Sequence, residues 1–295
     1  MRKKLTNDQI LTIFFYLLLA LIAFVCLFPI IFAFVGSLNT EAEVAKNGFM
    51  LFPETYSLDT YKYVFQTQGH RLLNAYRTSI IVTVGGTLIS VVITVMYAYV
   101  ITIKDFRFGK AFAFFAYFTM IFNGGMLSWY IVTTKYLGLK DSYLAMMLPY
   151  AINVFNMYLV RNFIKGLPYE LIESAKMDGA GHFRILWKIV VPLSKAGIVT
   201  IVLCYALQYW NDFYLPLMLI NDEEFYSIQY ILYKMMANIQ FLASNPSSAM
   251  AAHVTLPTQT IKMAITCIAI GPIILFYPFV QKYFVKGVTV GALKG

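Results

Sequence analysis

The chain alternates long apolar runs with short polar interruptions, and the runs are too long for an ordinary soluble fold. A bilayer core of about 30 Å takes roughly 20 apolar residues per helix. Six runs qualify, over residues 10–38, 75–103, 110–133, 142–164, 196–220 and 261–283. The pattern predicts an all-α polytopic membrane protein with six transmembrane helices, forming one transmembrane domain over 1–295. Between the fourth and fifth runs lies the most polar interruption, a charged island over 165–195.

The other interruptions are unequal. Residues 39–74 form a long segment in which Ser57 is placed to cap a short helix. Lys104 to Lys110 reads as a basic hairpin and no more. Residues 221–260 are long again and carry Asp222, Glu223 and Glu224. With the N-terminus in the cytoplasm, fifteen of the 23 lysines and arginines fall inside and eight outside. That asymmetry is the positive-inside signature, and it puts both termini and the island in the cytoplasm.

Composition agrees with a membrane setting. Hydrophobic residues make up 60% and charged ones 13%, against about 25% charged in soluble domains. The net charge of +9 is spread over several loops rather than one stripe, which argues against nucleic acid. Met1-Arg2-Lys3-Lys4 precedes an apolar run to Val35, longer than the roughly 7–15 residues of a signal peptide. An uncleaved first span is expected. Cys26, Cys204 and Cys267 lie inside apolar runs without metal-ligand spacing.

The island reads as helix, glycine turn, helix. Pro168 opens a helix to Met177 with Glu170 and Glu173 toward its N-terminal end. Asp178-Gly179-Ala180-Gly181 is a breaker cluster. His182 to Val190 is helical again, with Phe183, Leu186, Ile189 and Val190 on one side, until Pro192 stops it. Ala175 and Gly179 are small and four apart, so another protein can approach the backbone closely. Two readings stand side by side: a docking element, and a plain amphipathic linker at the membrane surface.

No phosphate-binding Gly-Xaa4-Gly-Lys-Ser/Thr loop occurs, so ATP hydrolysis is not expected of this chain. His70, His182 and His253 lie in three separate loops, and no metal is expected. Polar residues inside spans usually face a bundle interior or cavity. Span five carries Tyr205, Gln208, Tyr209 and Asp212 on one face. Span four carries Tyr150, Asn153 and Asn156, and span three carries Asn123 beside Gly124-Gly125. Aromatic faces with amide donors suit sugar rings. The same groups also serve as interhelical hydrogen bonds, and Asp212 near a span end could meet an outside protein. A gradient-driven carrier is the alternative class, but it calls for more intramembrane acids and paired repeats. A membrane enzyme calls for a clustered nucleophile or metal set, which is absent.

Glu173, Ser174, Ala175, Gly179, Ile189 and Pro192 fall on the pattern of the "EAA" loop of bacterial ABC-importer permeases. Ser174 and Val191 depart from it by small changes. Phe122-Asn123-Gly124-Gly125, Leu137-Gly138-Leu139, Trp210-Asn211-Asp212 and the ending from Lys286 to Gly295 also resemble the carbohydrate branch of that family. The likeness covers nearly the whole chain and is nearer the six-span partner of the maltose-permease type. It implies a type I ABC importer fold in the bacterial cytoplasmic membrane. It implies a coupling role for Glu173, Ala175, Met177, Asp178, Gly179 and Ala180, with Lys294 and Gly295 reaching toward the ATPases. It also implies two ATPase subunits that bind ATP and magnesium, a second permease, an extracytoplasmic solute-binding protein and an oligosaccharide cargo.

Overall fold

A computed structural model describes residues 7–244, 260–272 and 274. Among them there is no strand beyond one isolated bridge between Asn39 and Tyr56. The chain divides into two units, one of Met1–Gly69 with Met235–Ile273, the other of His70–Lys234 with Ile274–Gly295.

The first unit begins with α1 (Asn7–Ser37). Its apolar side chains from Leu11 to Ile31 are exposed, so this helix is a span whose solvent is lipid or another chain. Where it ends, buried Asn39 closes the exit: its Nδ2 donates to Val35 and Met50 carbonyls, and its Oδ1 accepts from the Met50 amide. Thr40 caps α2 (Glu41–Asn47) by accepting from the Glu43 amide. Ser57 accepts from the Asp59 amide and starts α3 (Asp59–Val100). Ser57 therefore caps a helix of 42 residues rather than a short one. Hydropathy marks only the apolar part of α3, so its polar first turns read as loop.

The second unit holds the remainder of α3, then a series of broken helices. α4 (Gly109–Ile121) and α5 (Gly125–Ile131, extended as a π turn over Val132–Tyr136) meet at 117°. α6 (Tyr143–Met147, with a 3-10 turn Leu148–Tyr150) and α7 (Val154–Lys165) meet at 55°. The predicted span over 110–133 is thus sharply bent, and that over 142–164 is kinked. The island forms α8 (Tyr169–Met177) and α9 (His182–Ile185), a π turn over Leu186–Val190 and a last turn α10 (Val191–Leu193). Pro192 does not end this helix. It lacks an N–H and its ring crowds the preceding turn, and the preceding turn widens to a π turn. The break falls at Ser194, where α11 (Lys195–Trp210) leaves at 85°. α12 (Tyr214–Leu219) follows, and α13 (Ile228–Ser244) runs on into the first unit, which also holds α14 (Thr260–Pro272).

Among the described residues two helices are long and apolar enough to cross a membrane alone, and up to five spans arise if each bent pair counts as one. The predicted sixth span, 261–283, is described to Pro272 and at 274, and its remainder lies outside the described residues.

In the second unit glycines let helices touch. A Cβ on Gly86 of α3 would stand 2.7 Å from the Tyr209 ring, and one on Gly197 of α11 only 2.4 Å from the Phe163 ring. Both distances are below contact, so neither position accepts a side chain without repacking. Gly86→Ala is expected to cost about 1–3 kcal/mol. Gly69→Ala, where a Cβ meets nothing within 4 Å, should be neutral or stabilising by up to about 1 kcal/mol. Thermal unfolding of both variants in detergent checks the contrast, and equal melting would refute the close approach.

Candidate functional site

The island is fastened to the end of α3 by three polar contacts. Lys104 Nζ lies 3.7 Å from the centre of the Tyr169 ring at the start of α8. Lys176 Nζ, near its end, is 2.9 Å from Asp105 Oδ2. Tyr99 Oη and His182 Nδ1, at the start of α9, are 3.0 Å apart. Beneath them the apolar side of the second island helix is buried: Ile185, Leu186 and Val190 are all within 3% of full burial. Phe183 is not among them, because the π turn shifts the spacing. It stands 71% exposed.

The turn between the two helices has a defined backbone. Gly179 has φ +77°, the left-handed conformation that glycine takes at no steric cost. The Ala180 amide donates to the Ala175 carbonyl, and the Gly179 amide to the Lys176 carbonyl. These are the two bonds of a Schellman motif, which satisfies the carbonyls at a helix end. Ala175 and Gly179 thus serve the turn itself as well as leaving its surface low. Around it Glu173, Met177, Asp178 and Gly179 are exposed, Met177 by 82%. Ala175 and Ala180 are half-buried.

A second arrangement joins α3, α6, α7 and α11 through hydroxyls. Tyr209 Oη donates to the Met147 carbonyl at 2.6 Å, which leaves Ser90 on α3 to donate to the Tyr209 oxygen at 2.8 Å. One turn along, Tyr205 Oη accepts from the Asn153 amide at 2.9 Å and pairs with Thr94 at 2.7 Å. Tyr150 Oη donates to Asp212 at 3.2 Å. Asp212 also accepts from the amides of Tyr214 and Leu215, which open α12.

The family model described as "Binding-protein-dependent transport system inner membrane component" matches residues 1–290. The chain belongs to this family. It is a permease subunit of an ABC importer, a multi-pass inner-membrane protein whose ATPase activity lies outside it. Such a permease works with a partner permease, an ATPase and a binding protein. Protein LplC of Bacillus subtilis is 40% identical over 271 residues, 92% of this chain and 90% of LplC. The polygalacturonan/rhamnogalacturonan transport system permease protein YtcP of the same organism is 38% identical over 289 residues, covering 98% and 100%. A crystal structure of a bacterial ABC transporter involved in the import of the acidic polysaccharide alginate is similar with TM-score 0.82 at 30% identity. It covers 96% of this chain and 100% of that one, and the fold is that of a type I ABC importer permease.

Within the permease the sequence candidates separate. Glu173, Ala175, Met177, Asp178, Gly179 and Ala180 come together at one turn, while Lys294 and Gly295 lie outside the described residues. Tyr205 and Tyr209 are buried, at 0% and 3% exposure, and Asn156 is buried beside them on α7. Tyr150, Asn153, Gln208 and Asp212 are half-buried. Asn123 is exposed and apart, its Oδ1 accepting from the Gly125 amide at the α4–α5 break. Sequence reasoning missed Tyr99, Lys104, Asp105 and the bonded role of His182. No local pattern marks these contacts, which join residues 83 and 71 positions apart.

The Lys176–Asp105 pair has a definite pH window. The hydrogen bond from Lys176 holds the Asp105 carboxyl below the usual carboxylate range, and the same bond raises the Lys176 ammonium above its ordinary value. A depressed acid contributes above its unfolded pKa and loses that contribution as pH falls through the folded one. A raised lysine contributes below its unfolded pKa and loses that as pH rises. The pair is therefore intact from about pH 4 to about pH 10. Asp105→Ala is expected to lower amide-exchange protection over Tyr169–Met177 at pH 7. Wild type should fall to that level only below about pH 4. Equal protection at pH 7 would show that the pair does not fasten the helix.

Proposed function

We propose that this permease carries an oligosaccharide or polysaccharide fragment, delivered by an extracytoplasmic solute-binding protein, through a six-span pore with both termini cytoplasmic. A second, homologous permease completes the pore, and two ATPase subunits with ATP and magnesium drive it. The island is the coupling element. The observation that carries this reading is the turn at Gly179: bare backbone flanked by exposed Met177 and Phe183, set on a buried apolar base. An exposed apolar pair beside a low backbone is a surface that gains by being covered. Glu173 and Asp178 fix orientation beside it, and Lys294 and Gly295 extend toward the ATPases.

The cargo reading draws on the names of two relatives, a polygalacturonan/rhamnogalacturonan permease protein and an alginate importer. For the path we propose two roles. Tyr150, Asn153, Gln208 and Asp212, with Asn123, face the cargo. Buried Tyr205, Tyr209 and Asn156 hold the wall behind them. The aromatic rings and amides match the C–H faces and hydroxyls of sugars.

Gly179→Val places a β-branched residue at positive φ, at a cost of roughly 1–2 kcal/mol in the turn. It and Glu173→Lys should abolish binding-protein-dependent uptake and release the ATPase from membranes in which the permease is still inserted. Uptake persisting without ATP and driven by an ion gradient would sink the importer mechanism. Gln208→Ala should change the ATPase stimulation given by loaded binding protein. If stimulation and uptake are unchanged, Gln208 is a packing residue.

A further inference from the structure

A cleft of about 320 Å³ lies between the island and the ends of α3 and α7. Its lining divides by chemistry. Ile103, Ile164, Leu167 and Ile172 make an apolar floor. Lys104, Lys165 and Lys176 stand at the rim with His182, and the lining includes no carboxylate. Among the described residues the ion pairs engage Lys62, Arg71 and Lys176; Asp105, which holds Lys176, also acts on Lys104 through space, and Lys165 is in no ion pair. Lys104 rests over the Tyr169 ring, which fixes its ammonium without neutralising it.

Like charges gathered at a rim repel one another, and an anion relieves that cost. The apolar floor narrows the choice. A small soluble anion would satisfy the lysines and leave the floor against water. An amphiphilic anion satisfies both. Clefts of this kind, basic and between helix ends on the cytoplasmic side, suit anionic lipid headgroups. We propose that this cleft binds the phosphate of an anionic phospholipid, with Lys104 and Lys165 on the phosphate and the glycerol ester region on the floor. The lipid would sit behind the island and brace it against α3. This rests on the reading that the island is cytoplasmic.

Native mass spectrometry tests it, on the assembled importer released from phosphatidylcholine vesicles containing phosphatidylglycerol. Wild type should retain phosphatidylglycerol over phosphatidylcholine. Lys104→Gln with Lys165→Gln should lower that retention about fivefold per lysine. Lys104→Arg with Lys165→Arg should keep it, which separates charge from folding, and Lys46→Gln on α2 should not affect it. A second arm offers sn-glycerol phosphate to importer in phosphatidylcholine alone. Lysine-dependent binding there, without lipid retention, would keep the phosphate site but overturn the lipid as its occupant. Equal lipid retention by wild type and the double glutamine variant, with no soluble ester bound, overturns the site. Labelling a Lys165→Cys variant from either side reads the topology independently. Label entering from outside refutes the cytoplasmic island whatever the lipid result.

Discussion

A chain in a bilayer cannot leave backbone amides without partners, because no water is there to take them. The broken helices of this permease make that constraint visible. At the α4–α5 break, Asn123 takes the Gly125 amide. At the α6–α7 break, Asn153 takes the Asn156 amide. Between α11 and α12, Asp212 takes two amides. After α12, Asp141 takes those of Asn221 and Asp222, and these bonds hold its carboxyl below the usual range. A short polar side chain takes an amide at each of these four places, whereas at the 85° bend the Ser194 hydroxyl is buried without a partner. At these four places the freed amides are therefore satisfied away from water.

The hydroxyl ladder on α3 and α11 follows from the same economy. Interhelical hydrogen bonds in membranes average only about 0.6 kcal/mol, so these bonds are not the main source of stability. Their value is register. Tyr205 and Tyr209 are four apart and meet Thr94 and Ser90, also four apart, on α3. A slip by one residue breaks both pairs together. Gly86 under the Tyr209 ring permits the approach that makes the pairing possible. Dispersion across that close contact supplies what the hydrogen bonds do not.

Spans were legible in the sequence because lipid selects for unbroken apolar length, and α1 ends within a residue of its expected limit. Breaks were less legible. Asn123, Asn153 and Asp212 stood out as polar residues in apolar runs, and they read as cargo contacts, yet each also accepts an amide at the start of a helix. Hydropathy cannot separate the two uses, since both need a polar atom away from lipid. The π turn before Pro192 was hidden for a different reason. Proline signals a stop, but a widened turn removes the clash and lets the helix continue to Leu193. The anchors Tyr99 and Asp105 were invisible because they lie 83 and 71 residues from His182 and Lys176.

The proposed coupling asks the exposed turn to transmit force, and the contacts that fasten it differ in what they can bear. Lys176–Asp105 is exposed on its acidic side, at 74%, and exposed ion pairs are screened by solvent and salt and add little. Such a pair orients the first island helix but yields under load. Burial of Ile185, Leu186 and Val190 is different, at about 1.5–3 kcal/mol for each side chain. That base belongs to α9 and the π turn, and these continue through Ser194 into α11 by covalent bonds. A push at Gly179 therefore reaches α11 along a helix with one buried face and through the 85° bend, and it reaches α3 through the contacts of buried Tyr99 with His182 and of Asp105 with Lys176. The covalent route leads to the helix that carries Gln208, proposed to face the cargo, and Tyr205 and Tyr209, proposed to stand behind it.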